Sequence, residues 1–273
     1  GETTFNKNGT IQGQIDIPLS EKGKLQASEL GKFIQTNTQK SVNSDTVCFV
    51  PSPDIMFTSP LSRAKETATL VKSLSGWSDQ DLIDSNLVKE ICFGKCEGHA
   101  YQNIVPKICA DPRLQEELNV RSPVEFHLDS VRNWGNMAIF WTKFPEYNIA
   151  GVFDEDRKAQ PTSLVMETPE DMRNRAIGFI QRLGEIIAER EAQLEGKKSI
   201  NVVLVSHGFY LKVLLSLIIM QEAQTSPLPF NLWNTSLSKI EFDLVGKEES
   251  GKIVYSSEHC HLTCLNSVPH LLQ

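Results

Sequence analysis

Residues 200–206, INVVLVS, constrain the fold of this chain more than any other stretch. Apart from Asn201 the run is apolar through Val205, rich in β-branched side chains and shorter than an ordinary helix. A half-exposed strand would alternate; a continuous apolar run belongs to a parallel strand covered on both faces. Ser206-His207-Gly208 closes the run, and a strongly apolar helical segment follows at once. Residues 45–50 (DTVCFV), 54–59 (DIMFTS) and 236–245 (SLSKIEFDLV) also read as strands. Pro-Ser-Pro separates the first two, so only one of them is expected to be a full central strand.

Helical patterns lie between these strands. Residues 20–35 offer Ser20 as an N-cap with Leu25, Leu30, Phe33 and Ile34 behind it, and residues 62–74 follow a strand directly. A third helix begins at the Thr168 cap, with Pro169 at its first position and acids in its first turn, and is expected to end near Gly196. This alternation predicts an α/β fold: a three-layer sandwich with a largely parallel central sheet and helices on both faces. Residues 99–165, which carry Trp134 and Trp141, have only patchy periodicity. They are read as a cap or lid inserted into a single domain spanning residues 1–273.

The chain carries 34 acidic against 27 basic residues, a net charge of −7. Broad electrostatic attraction to nucleic acid or an anionic membrane is therefore not expected, and an anionic substrate needs a local cluster of cations. The longest apolar segment, residues 213–220, is too short to span a bilayer. Six cysteines, with neither framework spacing nor a secretory leader, fit reduced thiols in a cytoplasmic protein.

Three stretches carry residues suited to phosphoryl chemistry. Arg63, in FTSPLSRAKETA, falls just past a strand's carboxyl end, where open α/β sheets bind ligands and a guanidinium can fork phosphate oxygens. Pairing with Glu66 on the surface is the plainer alternative. His207 sits at a second strand end, and Gly208 lets a ligand approach the backbone. A partly buried histidine bonded to a loop carbonyl would give the same pattern. Glu90 and Glu97 flank Gly94 in KEICFGKCEG, and either could act as a general acid or lie on the surface. Cys92 and Cys96 are four apart, so this is no CxxC site. His259, Cys260, His261 and Cys264 look metal-like, but alternation sends His259 and His261 to the face opposite Cys260, and a closing strand is the preferred reading. No metal or cofactor is expected.

Together the motifs resemble the histidine phosphatase superfamily, the phosphoglycerate-mutase-like fold. The family's first motif matches at Gly1-Glu2-Thr3, Asn6, Gln12-Gly13, Asp16, Pro18-Leu19-Ser20, Gly23 and Gln26-Ala27. The second matches at residues 59–68, the third from Glu90 to Gly98 and the fourth at Ser206-His207-Gly208. Residues 1–27 and the KE..FG..EG segment are similar to the fructose-2,6-bisphosphatase/TIGAR-like branch. Phe5 stands where mutases of this fold carry Trp, which favours hydrolysis over mutase-type transfer.

The resemblance implies a metal-free phosphatase acting on a small phosphorylated metabolite, such as fructose 2,6-bisphosphate, through a phosphohistidine. The family's Arg-His pair is expected just upstream of Gly1, and without it the protein would be a phosphate-binding scaffold. Arg63 and His207 would hold the equatorial phosphoryl oxygens and Glu90 would protonate the leaving group. Gly1, Asn6, Gln12, Gly13 and Gly208 would line the pocket, with Lys107, Arg121 or Arg132 meeting a second phosphate. A monomer or weak homo-oligomer without nucleic-acid or membrane partners is expected.

Overall fold

The computed structural model describes residues 1–39, 50–77, 79–118, 166–194, 197, 199–220, 232–247 and 253–271. Its centre is a parallel sheet in the order β2-β1-β3, formed by β1 (Ile55–Thr58), β2 (Leu82–Asp84) and β3 (Val202–Val205). Phe57 stands between Ile83 and Leu204. All four residues of β1 are buried, as a central strand covered on both faces requires.

Period-two alternation divides the sheet between two cores. Ile55, Phe57, Val202 and Leu204 face α6 (Pro169–Glu189) and α8 (Gly208–Met220), meeting Met172, Phe179, Ile180, Leu214 and Ile218. The Phe57 and Phe179 rings pack edge to face at 5.2 Å. Val203 points to the other side, where Leu30 and Ile34 of α2 (Glu21–Gln39) join Val71 of α3 (Ser62–Leu74) and Trp77. The expected three layers are present.

Two further strands, β4 (Leu237–Lys247) and β5 (Ile253–Ser267), form an antiparallel pair. Only residues 248–252 separate them, too few for the crossover a parallel pair needs. Ile240, Phe242 and Cys260 pack on the first core and Leu237 on the second, so the pair extends the same layer. Among the described residues β3 pairs only with β1, and β4 only with β5.

The helix ends follow the expected capping chemistry. Ser20 Oγ accepts the Gly23 N–H at 3.1 Å. Thr168 and Asp171 form a reciprocal capping box, with Pro169 in the first turn of α6. That helix stops at Glu189, short of the expected end. Ile186 and Ile187 are its last core contacts, and Arg190 leaves helical geometry before the short α7 (Glu191–Leu194). The five-residue α1 (Thr4–Asn8) lies in the first-motif loop. Within the expected lid, residues 101–118 form α4 (Tyr101–Ala110) and α5 (Pro112–Leu118). Arg121, Arg132, Trp134, Trp141 and most of the strand expected at 45–50 lie outside the described residues.

Candidate active site

The carboxyl ends of β1 and β3 bring the sequence-predicted residues together. Arg63 sits in the first turn of α3, directly after β1, and is 8% exposed. Its fork donates to the carbonyls of Ile15 at 2.9 Å and Gly13 at 2.7 Å. It therefore grips the first-motif loop and does not pair with Glu66, whose carboxylate meets Lys24 and the Leu19 N–H.

That loop is closely fitted. Glu2 N–H donates to Gln26 Oε1, and Ser20 N–H to the Glu2 carbonyl, both at 2.9 Å. A Cβ on Gly23 would lie 2.0 Å from the Glu2 carbonyl oxygen, so α2 needs glycine at this contact. Thr3 is fully buried. Its N–H donates to Asn6 Oδ1 at 2.9 Å, and its hydroxyl lies 2.7 Å from Gln12 Oε1. Asn6 and Gln12 thus brace the loop through their oxygens. The Gly1 nitrogen lies 3.1 Å from Thr67 Oγ1, one turn beyond Arg63.

The two glutamates of the third motif separate here. Glu97 accepts N–H bonds from Phe93 (2.8 Å), Gln14 (3.0 Å) and Ile15 (3.0 Å). Gly13, at φ +53°, presses against it, and a Cβ there would lie 2.0 Å from Glu97 Oε1. Burial pushes the Glu97 carboxyl above its ordinary range, while the backbone donors pull it down. Glu97 anchors the loop.

Glu90 lies in an irregular segment between two short 3₁₀ turns. Its Oε1 accepts from Ile91 at 3.0 Å and Tyr210 at 3.1 Å, and its Oε2 from Phe209 at 3.3 Å. Two of those donors open α8, whose dipole favours the carboxylate. Burial pushes Glu90 up, opposed by these N–H groups and by the neighbouring Arg63 charge.

His207 immediately precedes α8 and is buried, with Nε2 unpartnered among the described residues. Burial, reinforced by Arg63, holds its pKa well below the ordinary histidine value and favours the neutral ring. Ser206 Oγ donates to the Val88 carbonyl at 2.7 Å and ties this turn to the Glu90 segment. Gly208 leaves open space, its nearest neighbour being the Leu232 carbonyl, 4.0 Å from a would-be Cβ.

Three functional candidates escaped the sequence reading. Arg175 and Glu167 form a bidentate pair beside Glu90, joined by Gln14. They lie 75 or more residues from the carbonyls and N–H groups they bond around Glu90, so no local pattern signals them. Lys212 is 7% exposed, with Nζ 5.3 Å from the Phe209 ring centroid and its charge near Glu90. Burial lowers its pKa, and it makes no ion pair among the described residues. A lone charge in the apolar GFYLKVLLSLIIM was its legible signal. Lys107 is exposed on α4, whose buried residues are Ile104, Val105, Ile108 and Cys109.

The metal-like C-terminal set lies on β5, where Cys264 is buried with Sγ 3.5 Å from the Leu237 carbonyl and His261 is exposed opposite Glu241. The His259 side chain lies outside the described residues. Among the described residues no group of three or more His, Cys, Asp or Glu could hold a metal, and no helix is long and apolar enough to cross a membrane.

A family model, the histidine phosphatase superfamily (branch 1), matches residues 1–123 and 135–250. The chain belongs to the histidine phosphatase superfamily. Among its relatives, the fructose-2,6-bisphosphatase TIGAR of Xenopus tropicalis is 27% identical over 214 residues, 78% of this chain and 70% of the relative. The uncharacterized phosphatase PhoE of Bacillus subtilis is 33% identical over 98 residues, 36% of this chain, an alignment spanning less than half (42%) of that relative. The crystal structure of a Bacillus anthracis phosphoglycerate mutase superposes with a TM-score of 0.62 at 21% identity, covering 100% of this chain and 92% of that one. That likeness is one of fold.

Proposed function

We propose that this histidine phosphatase hydrolyses phosphomonoesters of small metabolites, with a sugar bisphosphate such as fructose 2,6-bisphosphate as the preferred class. One observation carries the reading: a buried His207 with an unpartnered Nε2 stands with Arg63 and Glu90 at the carboxyl edge of a parallel sheet. Open α/β sheets bind ligands there. The likeness to TIGAR supports the bisphosphate class.

In the proposed mechanism the nucleophile is the family's histidine, on the residue joined to the Gly1 nitrogen. Its ring nitrogen attacks phosphorus in line, forming a P–N bond as the P–O bond to the leaving alkoxide breaks. Arg63 and a neutral His207, donating through Nε2–H, stabilise charge on the equatorial oxygens. Glu90 passes its proton to the alkoxide. The resulting carboxylate then takes a proton from water as the water attacks phosphorus, releasing phosphate and restoring both groups. The phosphate is held by protein groups throughout. Asn6, Gln12, Gly13 and Gly208 border this pocket, and Lys212 is the cation best situated for a second phosphate.

The test is turnover by the full-length protein on fructose 2,6-bisphosphate and on monophosphates, with acid quenching to trap an acid-labile phosphoprotein. Hydrolysis with a trapped phosphohistidine is expected. Phosphate binding without turnover would replace the reading with a scaffold role, and transfer to a second substrate hydroxyl with one of mutase chemistry.

A further inference from the structure

We infer that Arg175, held by Glu167, is a positioning residue that aims the Glu90 carboxyl group at the leaving group without touching substrate itself. The inference rests on Glu90 acting as the general acid. Glu90 has no helix or strand of its own to fix it, since residues 89–93 make no regular structure. One guanidinium makes three of the bonds that fix the segment. Arg175 Nη1 donates to the carbonyls of Leu87 and Lys89, each at 2.9 Å, and Nη2 to that of Glu90 at 3.3 Å. Gln14 Nε2 adds a second bond to the Glu90 carbonyl at 3.0 Å.

The guanidinium is itself held in place. Glu167 receives Nε at 2.6 Å and Nη2 at 2.9 Å, in the fork geometry that only arginine offers a carboxylate. Glu167 Oε2 also accepts the Cys92 N–H at 2.8 Å, fixing the far side of the same segment. The pair is mostly buried, at 18% and 16% side-chain exposure, so water competes weakly for these bonds.

A second connection reaches the carboxyl end of Glu90. Arg175 lies over the Tyr210 ring, 5.3 Å from its centroid, and the Tyr210 N–H donates to Glu90 Oε1. Both ends of the acid therefore depend on Arg175: the main chain directly, the carboxyl group through the start of α8. Lysine could supply neither the flat face nor the fork.

A general acid matters in proportion to how poor the leaving group is, and this separates positioning from mere folding. The full-length protein and its Glu90→Gln, Arg175→Met, Arg175→Lys and Glu167→Gln variants are compared on glycerol phosphate and on 4-nitrophenyl phosphate by kcat/KM, which reports formation of the phosphoenzyme and not its later hydrolysis. The second leaving group departs without needing a proton. Glu90→Gln should lose roughly 10²-fold or more on glycerol phosphate and much less on 4-nitrophenyl phosphate. Arg175→Met should reproduce that selective loss at roughly 10–10²-fold, the scale of a small misplacement of a catalytic group. Arg175→Lys should not rescue it, and Glu167→Gln should show a smaller loss with the same selectivity. If Arg175→Met fails to fold, the Glu167→Gln ratio decides the matter. Equal losses on both substrates, or none on either, would overturn the inference. A Glu90→Gln protein without leaving-group selectivity would overturn the reading of Glu90 as the acid, a failure distinguishable from that of Arg175.

Discussion

Glu90 and Glu97 stand seven residues apart in one motif, and each accepts three backbone N–H bonds. Burial pushes both carboxyl groups up. The difference lies in where the donors come from and what stands opposite. The donors of Glu97 are residues 14, 15 and 93, and Gly13 closes the remaining space, so this carboxylate stitches two loops together. Glu90 faces a helix N-terminus and Arg63, and an arriving anion would alter its electrostatics directly. A shifted carboxylate is a catalytic candidate only when substrate can reach it.

The strongest way to break this comparison is to exchange each carboxylate for its amide. Glu90→Gln should lower kcat on an alkyl phosphate by about 10²–10⁴-fold, with a smaller fall in the thermal midpoint than Glu97→Gln because Glu90 is only partly buried. Glu97→Gln should do the reverse, costing about 1–3 kcal/mol because a buried N–H loses its acceptor. Steady-state kinetics and thermal denaturation on both variants check the pair, and similar profiles would collapse the distinction.

Gly13→Ala should sharpen it. A left-handed backbone costs a non-glycine residue about 1–2 kcal/mol, and the new methyl must also displace the Glu97 carboxylate. A loss of about 3 kcal/mol or more in urea unfolding is expected, exceeding that of Glu97→Gln. Lys212→Met should raise the KM for a sugar bisphosphate about tenfold, or about 1.4 kcal/mol, and leave that for a monophosphate nearly unchanged. Equal effects on the two substrates would remove Lys212 from the second-phosphate role.

The smallest expected effect concerns pH. The native-state pKa of His207 is depressed, so below about pH 6.5 the unfolded chain takes up a proton that the folded one refuses. Its contribution to stability is complete above that pH and is lost as pH falls toward the folded-state value. Glu90 and Glu97, with raised values, run the other way, gaining stability as pH falls toward the ordinary glutamate range. Between pH 7.5 and 5.5 the unfolding free energy from urea titration should therefore drop less for His207→Asn than for the unsubstituted protein, by about 1 kcal/mol.

The parts legible in the sequence are those whose causes are local. The apolar run before Ser206, the Thr168-Pro169 cap and the strand ends bearing Arg63 and His207 are each specified by their neighbours. β2 escaped notice because three residues, Leu82–Asp84, are too few to show a period. Their pairing is decided by the neighbouring edge of β1. The role of Glu97 was ambiguous because its donors at 14 and 15 are about 80 residues away. Arg175 is one of several polar residues on an amphipathic helix, and only folding brings it beneath Glu90.

The contact between Gly13 and Glu97 bears on how this family member could change over time. With 2.0 Å between a would-be Cβ and a carboxylate oxygen, neither position can drift alone. A side chain at 13 requires a shorter residue at 97, and a shorter residue at 97 strands the N–H groups of 14, 15 and 93. Every one-step route thus crosses a less stable intermediate. Attempts to reshape the pocket by varying single positions should find these two frozen, and should vary them jointly.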